Sequence, residues 1–237
     1  LKDNSEFNIA VKEINKNFPG SMTLEVVFEG KEGRIVRQSD TLESMTALQM
    51  CLEAKDQPPA ATLSFADYSP EANRVFNGGN PKWSPLDKND MAVAAASGAL
   101  MLGTSPTAYL HIADFEQKNA TVSLWYKNNK QETVDRAIAD AHSCISQIGV
   151  EHDKFKIRMA SGSLALQQSI NETVDTYQWA ILAGLNLAIF LGCSYAYSSY
   201  KAALILLIPV NLANLMLTAF MVILGIGLDI NSLPILA

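Results

Sequence analysis

The 237-residue chain carries 18 Lys and Arg against 24 Asp and Glu, a net charge of −6, and three Cys. Beyond residue 175 the only charged side chains are Lys201 and Asp229. That distribution excludes a wholly soluble protein and a disordered chain, the acidic balance excludes a nucleic-acid binder, which needs a basic face, and three Cys are too few for a disulfide scaffold.

In chain order, Met22 to Phe28 alternates, with Leu24, Val26 and Phe28 on one side, and reads as a strand. Asp40 and Glu43 form a D-x-x-E helix start, close to a capping box. Leu42, Met45, Leu48 and Leu52 come after it at helical spacing until Pro58-Pro59 stops the helix. Ala61 to Phe65 is a short apolar strand. An irregular insert with Asn77-Gly78-Gly79-Asn80-Pro81 comes next. Asp87 to Leu102, rich in Ala and Met, reads as a helix ended by Gly103 and Pro106.

The second half repeats the order. Thr121 to Tyr126 alternates as a strand, and Asn128-Asn129 turns the chain. Gln131 to Ile148 is a helix with Val134, Ile138, Ala141, Ile145 and Ile148 as its apolar stripe and Gly149 as its stop. Phe155, Ile157 and Met159 then alternate with Lys154, Lys156 and Arg158, a strand with one buried and one cationic face. The sum is β-α-β, insert, β-α-β: an α+β, ferredoxin-like (split βαβ) domain over residues 1–162. A connecting helix over 163–175 leads into the apolar C-terminal segments.

Thr176 to Tyr200 holds no charge. About 25 residues at ~1.5 Å each reach roughly 37 Å, enough for a ~30 Å hydrocarbon core. Tyr177 and Trp179 at one end and Tyr195, Tyr197 and Tyr200 at the other are placed like interfacial anchors. Ala202 to Leu228 is again uncharged. These residues predict two membrane spans, 176–200 and 202–228, joined by a short turn at Ser198 to Lys201. Lys201, the only cation there, puts that turn in the cytoplasm and residues 1–175 outside it. The chain stops at Ala237, inside an apolar run from Ile230, so residues 230–237 read as the start of a third span and the sequence as a piece of a longer multi-pass protein.

Pro209 interrupts the second span's hydrogen bonding and should kink it. Asn211 and Asn214 are three apart and share a face. Polar groups in hydrocarbon need partners, so that face is expected to pack on other helices, and a substrate or ion path is the functional alternative. Asn186, Cys193 and Ser194 in the first span read as interhelical hydrogen bonding, and Gly184 with Gly192 as close helix contact.

Catalytic signatures are missing. His111, His142 and His152 lack metal-ligand spacing, and no P-loop, G-x-S-x-G or dinucleotide fingerprint occurs. Neither an enzyme nor a cofactor is expected. Cys51 and Cys144 both fall on predicted helices; a disulfide is geometrically possible, but buried thiols are the favoured reading. Asn119-Ala120-Thr121 and Asn171-Glu172-Thr173 match the glycosylation pattern.

Phe18-Pro19-Gly20-Ser21 before a strand, Asn80-Pro81-Lys82-Trp83 in the insert and Asn119-Ala120-Thr121-Val122-Ser123 opening a strand resemble the porter domain of RND-superfamily exporters of the MMPL type. Asn171-Glu172, Tyr200 at the turn, Pro209 and Gly227-Leu228-Asp229-Ile230-Asn231-Ser232-Leu233-Pro234 fit the same family. The resemblance covers essentially the whole chain. It implies a fragment comprising one porter domain, the next two spans and the start of a third, in a protein with two such repeats. The acid that carries protons in the family would lie beyond Ala237, so Asp229 is not that group and no proton relay is assigned here.

The resemblance further implies a proton-driven transporter in the cell inner membrane, exporting hydrophobic or amphiphilic compounds, lipids or drugs, with residues 1–175 periplasmic. Its expected partners are the bilayer, the substrate, the rest of the same chain and, as a possibility, further copies. The alternatives are a membrane-anchored sensor or interaction module with an external ligand-binding domain, and an RND-like protein-translocation accessory.

Overall fold

The computed structural model describes residues 6–105 and 107–223. The chain divides into two compact units, Leu1–Gln168 and Ser169–Ala237. The first unit is α+β. Its elements are α1 (Glu6–Asn17), β1 (Met22–Gly30), a 3-10 turn at Ile35–Arg37, α2 (Ser39–Glu53), β2 (Ala61–Leu63), α3 (Phe65–Phe76), a second 3-10 turn at Pro81–Trp83, α4 (Asp90–Gly103), β3 (Asn119–Tyr126), α5 (Gln131–Ile148) and β4 (Phe155–Ser161).

The four described strands form one sheet in the order β2-β3-β1-β4, every neighbouring pair antiparallel. Register is set by alternation, because a one-residue slip would turn each apolar row to water. Leu24 faces Leu124, Val26 faces Val122 and Phe28 faces Ile157. These side chains are buried together with Leu42, Met45, Leu48 and Leu52 of α2 and Val134, Ala137, Ala141 and Ile145 of α5. Each large apolar side chain so covered contributes about 1.5–3 kcal/mol. The opposite rows carry Thr23, Glu25, Val27 and Glu29 on β1, Thr121, Ser123 and Trp125 on β3, and Lys156 and Arg158 on β4. All of these except Ser123 are half-buried or exposed.

Several expectations change. The N-cap of α2 is Gln38, without a side-chain bond, and Asp40 lies one residue inside the helix, where its carboxylate takes Thr41 N–H at 2.9 Å. Asp90, at the first turn of α4, supplies a second acceptor, taking Ser39 N–H at 2.8 Å and Ser39 O–H at 2.7 Å. A helix start has unpaired N–H groups, and a carboxylate from another element satisfies them as well as a local one. The strand expected over Ala61 to Phe65 ends at Leu63, because Ser64 begins a helix. Ser64 and Asp67 make the capping box that opens α3, inside the segment expected to be irregular. The helix keeps Pro70 within it, at the cost of a hydrogen bond to the Ala66 carbonyl. Helix α1 is a further element, with no counterpart among those expected from periodicity.

In place of buried thiols there is a bond. Cys51 on α2 and Cys144 on α5 are joined in a disulfide, with Cα atoms 5.9 Å apart. Both apolar stripes dock on the same sheet, which brings the two helices side by side.

Helix α6 runs Ser163–Tyr197, carrying the connecting helix of 163–175 into the first apolar segment without a break, and α7 runs Tyr200–Ile223. Both are long and apolar enough to cross a membrane, over Trp179–Tyr197 and Tyr200–Phe220. The turn is shorter than expected. Ser198 takes a left-handed φ of 47°, and Ser199 caps α7 by accepting from Ala202 N–H on its hydroxyl at 3.4 Å. Tyr200 and Lys201 therefore open α7 rather than belonging to the turn. The last residues of the 202–228 span, Asp229 and the 230–237 segment lie outside the described residues.

Candidate functional site

Within the second unit, Asn186 of α6 lies back on its own helix, donating to the Leu182 carbonyl at 2.8 Å. That leaves its Oδ1 as an acceptor. Asn211 of α7 donates to this oxygen at 2.8 Å and to the Leu207 carbonyl of its own helix at 2.9 Å. In an apolar surrounding such a pair answers the demand that each buried polar group find a partner. Asn214 is not brought to it. Its backbone carbonyl accepts from the Thr218 hydroxyl at 2.9 Å, and its side chain has no hydrogen-bond partner among the described residues.

Pro209 lies one turn above Ile205, whose carbonyl it cannot bond. Nothing lies within 4 Å of where a side chain would start at Gly184 or Gly192, so the close contact expected there is not made between the two described helices. Two helices touch along one stripe each, and these glycines lie off it.

In the first unit the polar centre is on the sheet face turned away from the core. Glu25 and Ser123 are directly paired across β1 and β3. The Ser123 hydroxyl donates to Glu25 Oε2 at 2.6 Å. Burial pushes the Glu25 carboxyl above its usual range, while the Ser123 bond and the charge of nearby His111 pull the other way. On the same face Arg158 forms an ion pair with Glu29 at 2.7 Å, and Trp125 is half-buried two residues from Ser123.

This cluster offers a half-buried acceptor beside an aromatic surface. The face pair became visible only with the register; the alternation of β1 and β3 said which residues share a side, not which stand opposite.

Other candidates are smaller. The cleft between α3 and α4, lined by Ser69, Asn73, Leu86, Val93 and Ala96, has about 10 Å³ of interior space, room for at most one water. No three His, Cys, Asp or Glu side chains among the described residues converge as metal ligands. His152 stacks on Phe155 at 4.4 Å between ring centroids, with its Nε2 3.0 Å from the Gly149 carbonyl oxygen. Asn119, the first glycosylation match, has its amide held by Asp114 at 2.8 Å.

Compared with known proteins, the chain matches no protein-family model, no curated protein and no solved structure.

Proposed function

We propose that the chain is part of a proton-driven membrane transporter of the MMPL type in the RND superfamily, exporting hydrophobic or amphiphilic compounds. The observation that carries the reading is an α+β unit running directly into two apolar helices in a tight hairpin, with α6 starting two residues after the last strand. The order β2-β3-β1-β4, with two βα units closing one antiparallel sheet, supports a ferredoxin-like porter domain. The bond between Cys51 and Cys144 supports an extracytoplasmic position for that unit, since disulfides persist in oxidising compartments. Export would take its energy from protons crossing spans outside this sequence, and the Asn186–Asn211 pair would hold the hairpin together beside them.

The test is transport by the whole gene product. Inverted membrane vesicles containing it should accumulate an amphiphilic dye when an inward-acid pH gradient is imposed, and lose the accumulation when an uncoupler collapses the gradient. Accumulation that is insensitive to the gradient, or none across a panel of amphiphiles and lipids, would sink the proposal. A ligand-binding module anchored in the membrane is the second reading, favoured by the half-exposed sheet face around Glu25, Ser123 and Trp125; it predicts ligand binding to vesicles without accumulation.

A further inference from the structure

Of the chain's three Cys, two are bonded and one, Cys193, is free. The two bonded sulfurs are not equivalent. Cys144 is fully buried on the core-facing side of α5, whereas Cys51, on α2, is part-exposed. One turn beyond Cys51, Lys55 reaches across to α5, with its ammonium 3.3 Å from the Ser143 hydroxyl and 3.8 Å from the Asp140 carboxylate. The thiolate is the form that attacks a disulfide, and a solvent-reachable thiol meets an enzyme's disulfide more readily than a buried one. The bond closes a sequence separation of 93 residues. Between its ends lie β2, the whole insert and β3, and docking of α2 and α5 on one sheet brings the two sulfurs together.

We propose that this unit is the substrate of an extracytoplasmic dithiol oxidase, that Cys51 is the residue attacked into the mixed disulfide, and that Cys144 resolves it. The Cys51 thiolate attacks one sulfur of the oxidase's disulfide; that bond breaks and the oxidase's other sulfur leaves as a thiolate. The Cys144 thiolate then attacks the Cys51 sulfur, forming the internal bond and expelling the oxidase's first sulfur. Two electrons pass from the cysteine pair to the oxidase, which leaves as a dithiol, and the two protons released by Cys51 and Cys144 balance its two new S–H bonds. The order is set by access: the reachable sulfur meets the enzyme, and the buried one is delivered by the packing of α5 on the sheet.

The inference rests on the extracytoplasmic placement given above, and its test separates the two. The full-length protein is expressed in cells with and without the compartment's dithiol oxidase and quenched in acid. Free thiols are blocked with N-ethylmaleimide; the protein is then reduced and tagged with a mass-shifting maleimide. With the oxidase, two cysteines should take the tag; without it, the doubly tagged fraction should fall at least fivefold. An oxidase lacking its second active-site Cys should be trapped on the Cys144→Ser protein and not on Cys51→Ser. No tagging after reduction in oxidase-proficient cells would overturn the bond. Full tagging without the oxidase would overturn the enzymatic step, and trapping on Cys51→Ser instead would overturn the order. A periplasm-dependent phosphatase fused after Lys130 reports the placement by itself: active phosphatase with untagged protein defeats only the disulfide, and inactive phosphatase defeats the placement.

Discussion

Asn211 Nδ2 and Asn186 Oδ1 meet at 2.8 Å across the α6–α7 hairpin, and each amide also donates to a carbonyl one turn back on its own helix. The back-bonds fix the two amide planes, so the oxygen of one is left pointing at a nitrogen of the other. A double-mutant cycle with Asn186→Val and Asn211→Val should give a coupling of about 0.5–1.5 kcal/mol, the range for hydrogen bonds between membrane helices. Unfolding in mild detergent measures it; additive single effects would mean that the contact contributes nothing. Asn214→Val, which removes no side-chain bond among the described residues, should leave the hairpin's stability within about 0.5 kcal/mol.

Ser64 caps α3 and ties its start to α2. Its oxygen accepts from Ala66 N–H at 3.1 Å, and its proton goes to the buried Gln49 at 2.8 Å. Ser64→Ala should lower stability by about 1–2 kcal/mol, and thermal unfolding should register it as a lower midpoint. Ser64→Asn, which restores an acceptor, should recover part of the loss; an unchanged midpoint in the Ala variant would show that the cap is not formed.

Gly162 links β4 to α6 at φ +105°, and a Cβ there would stand 2.4 Å from the Thr23 carbonyl oxygen. Backbone cannot give way as a flexible side chain can, so Gly162→Ala should cost about 2–3 kcal/mol or more. Gly98, inside α4, has open space around it, and Gly98→Ala should stabilise by about 0.5–1 kcal/mol through helix propensity alone. Opposite signs are expected from two identical substitutions, and equal effects would contradict the packing at Gly162.

Reducing the disulfide, or replacing both of its cysteines by Ser, should destabilise the first unit by about 2–5 kcal/mol, since a closed loop of this length restricts the unfolded chain heavily. Denaturant titration with and without reductant measures it. Identical midpoints would count against the bond.

Glu25 sets a pH dependence. Its folded carboxyl titrates above the ordinary value of 4.5, because the charged form is the one that burial penalises. Between 4.5 and the raised folded value the folded state binds more protons than the unfolded one, so this group adds stability as pH falls through that window and removes it as pH rises. Glu25→Gln keeps an oxygen for the Ser123 proton and carries no charge. It should therefore melt higher than the natural protein at neutral pH, with the difference closing as pH falls towards 4.5. A gap that widens on acidification would reverse the assigned cause.

Much of this architecture is one-dimensional information. A run without charge needs only its length to declare that it can cross a bilayer, and α6 and α7 were legible for that reason. Alternation marked β1, β3 and β4, and the stripe ending at Gly149 gave α5 to the residue. Helix α3 was hidden because Pro70 and three Asn within or just after it resemble loop composition, although Ser64-x-x-Asp67 was a usable start signal. What the sequence could not supply were the partners of groups far apart along the chain: Asp90 for the start of α2, Ser123 for Glu25, Cys144 for Cys51 and Asn186 for Asn211. Hydrophobic period tells a segment which side to bury, but hydrogen bonds and sulfur bonds depend on distances of a few ångströms, and those exist only once the sheet has chosen its order and register.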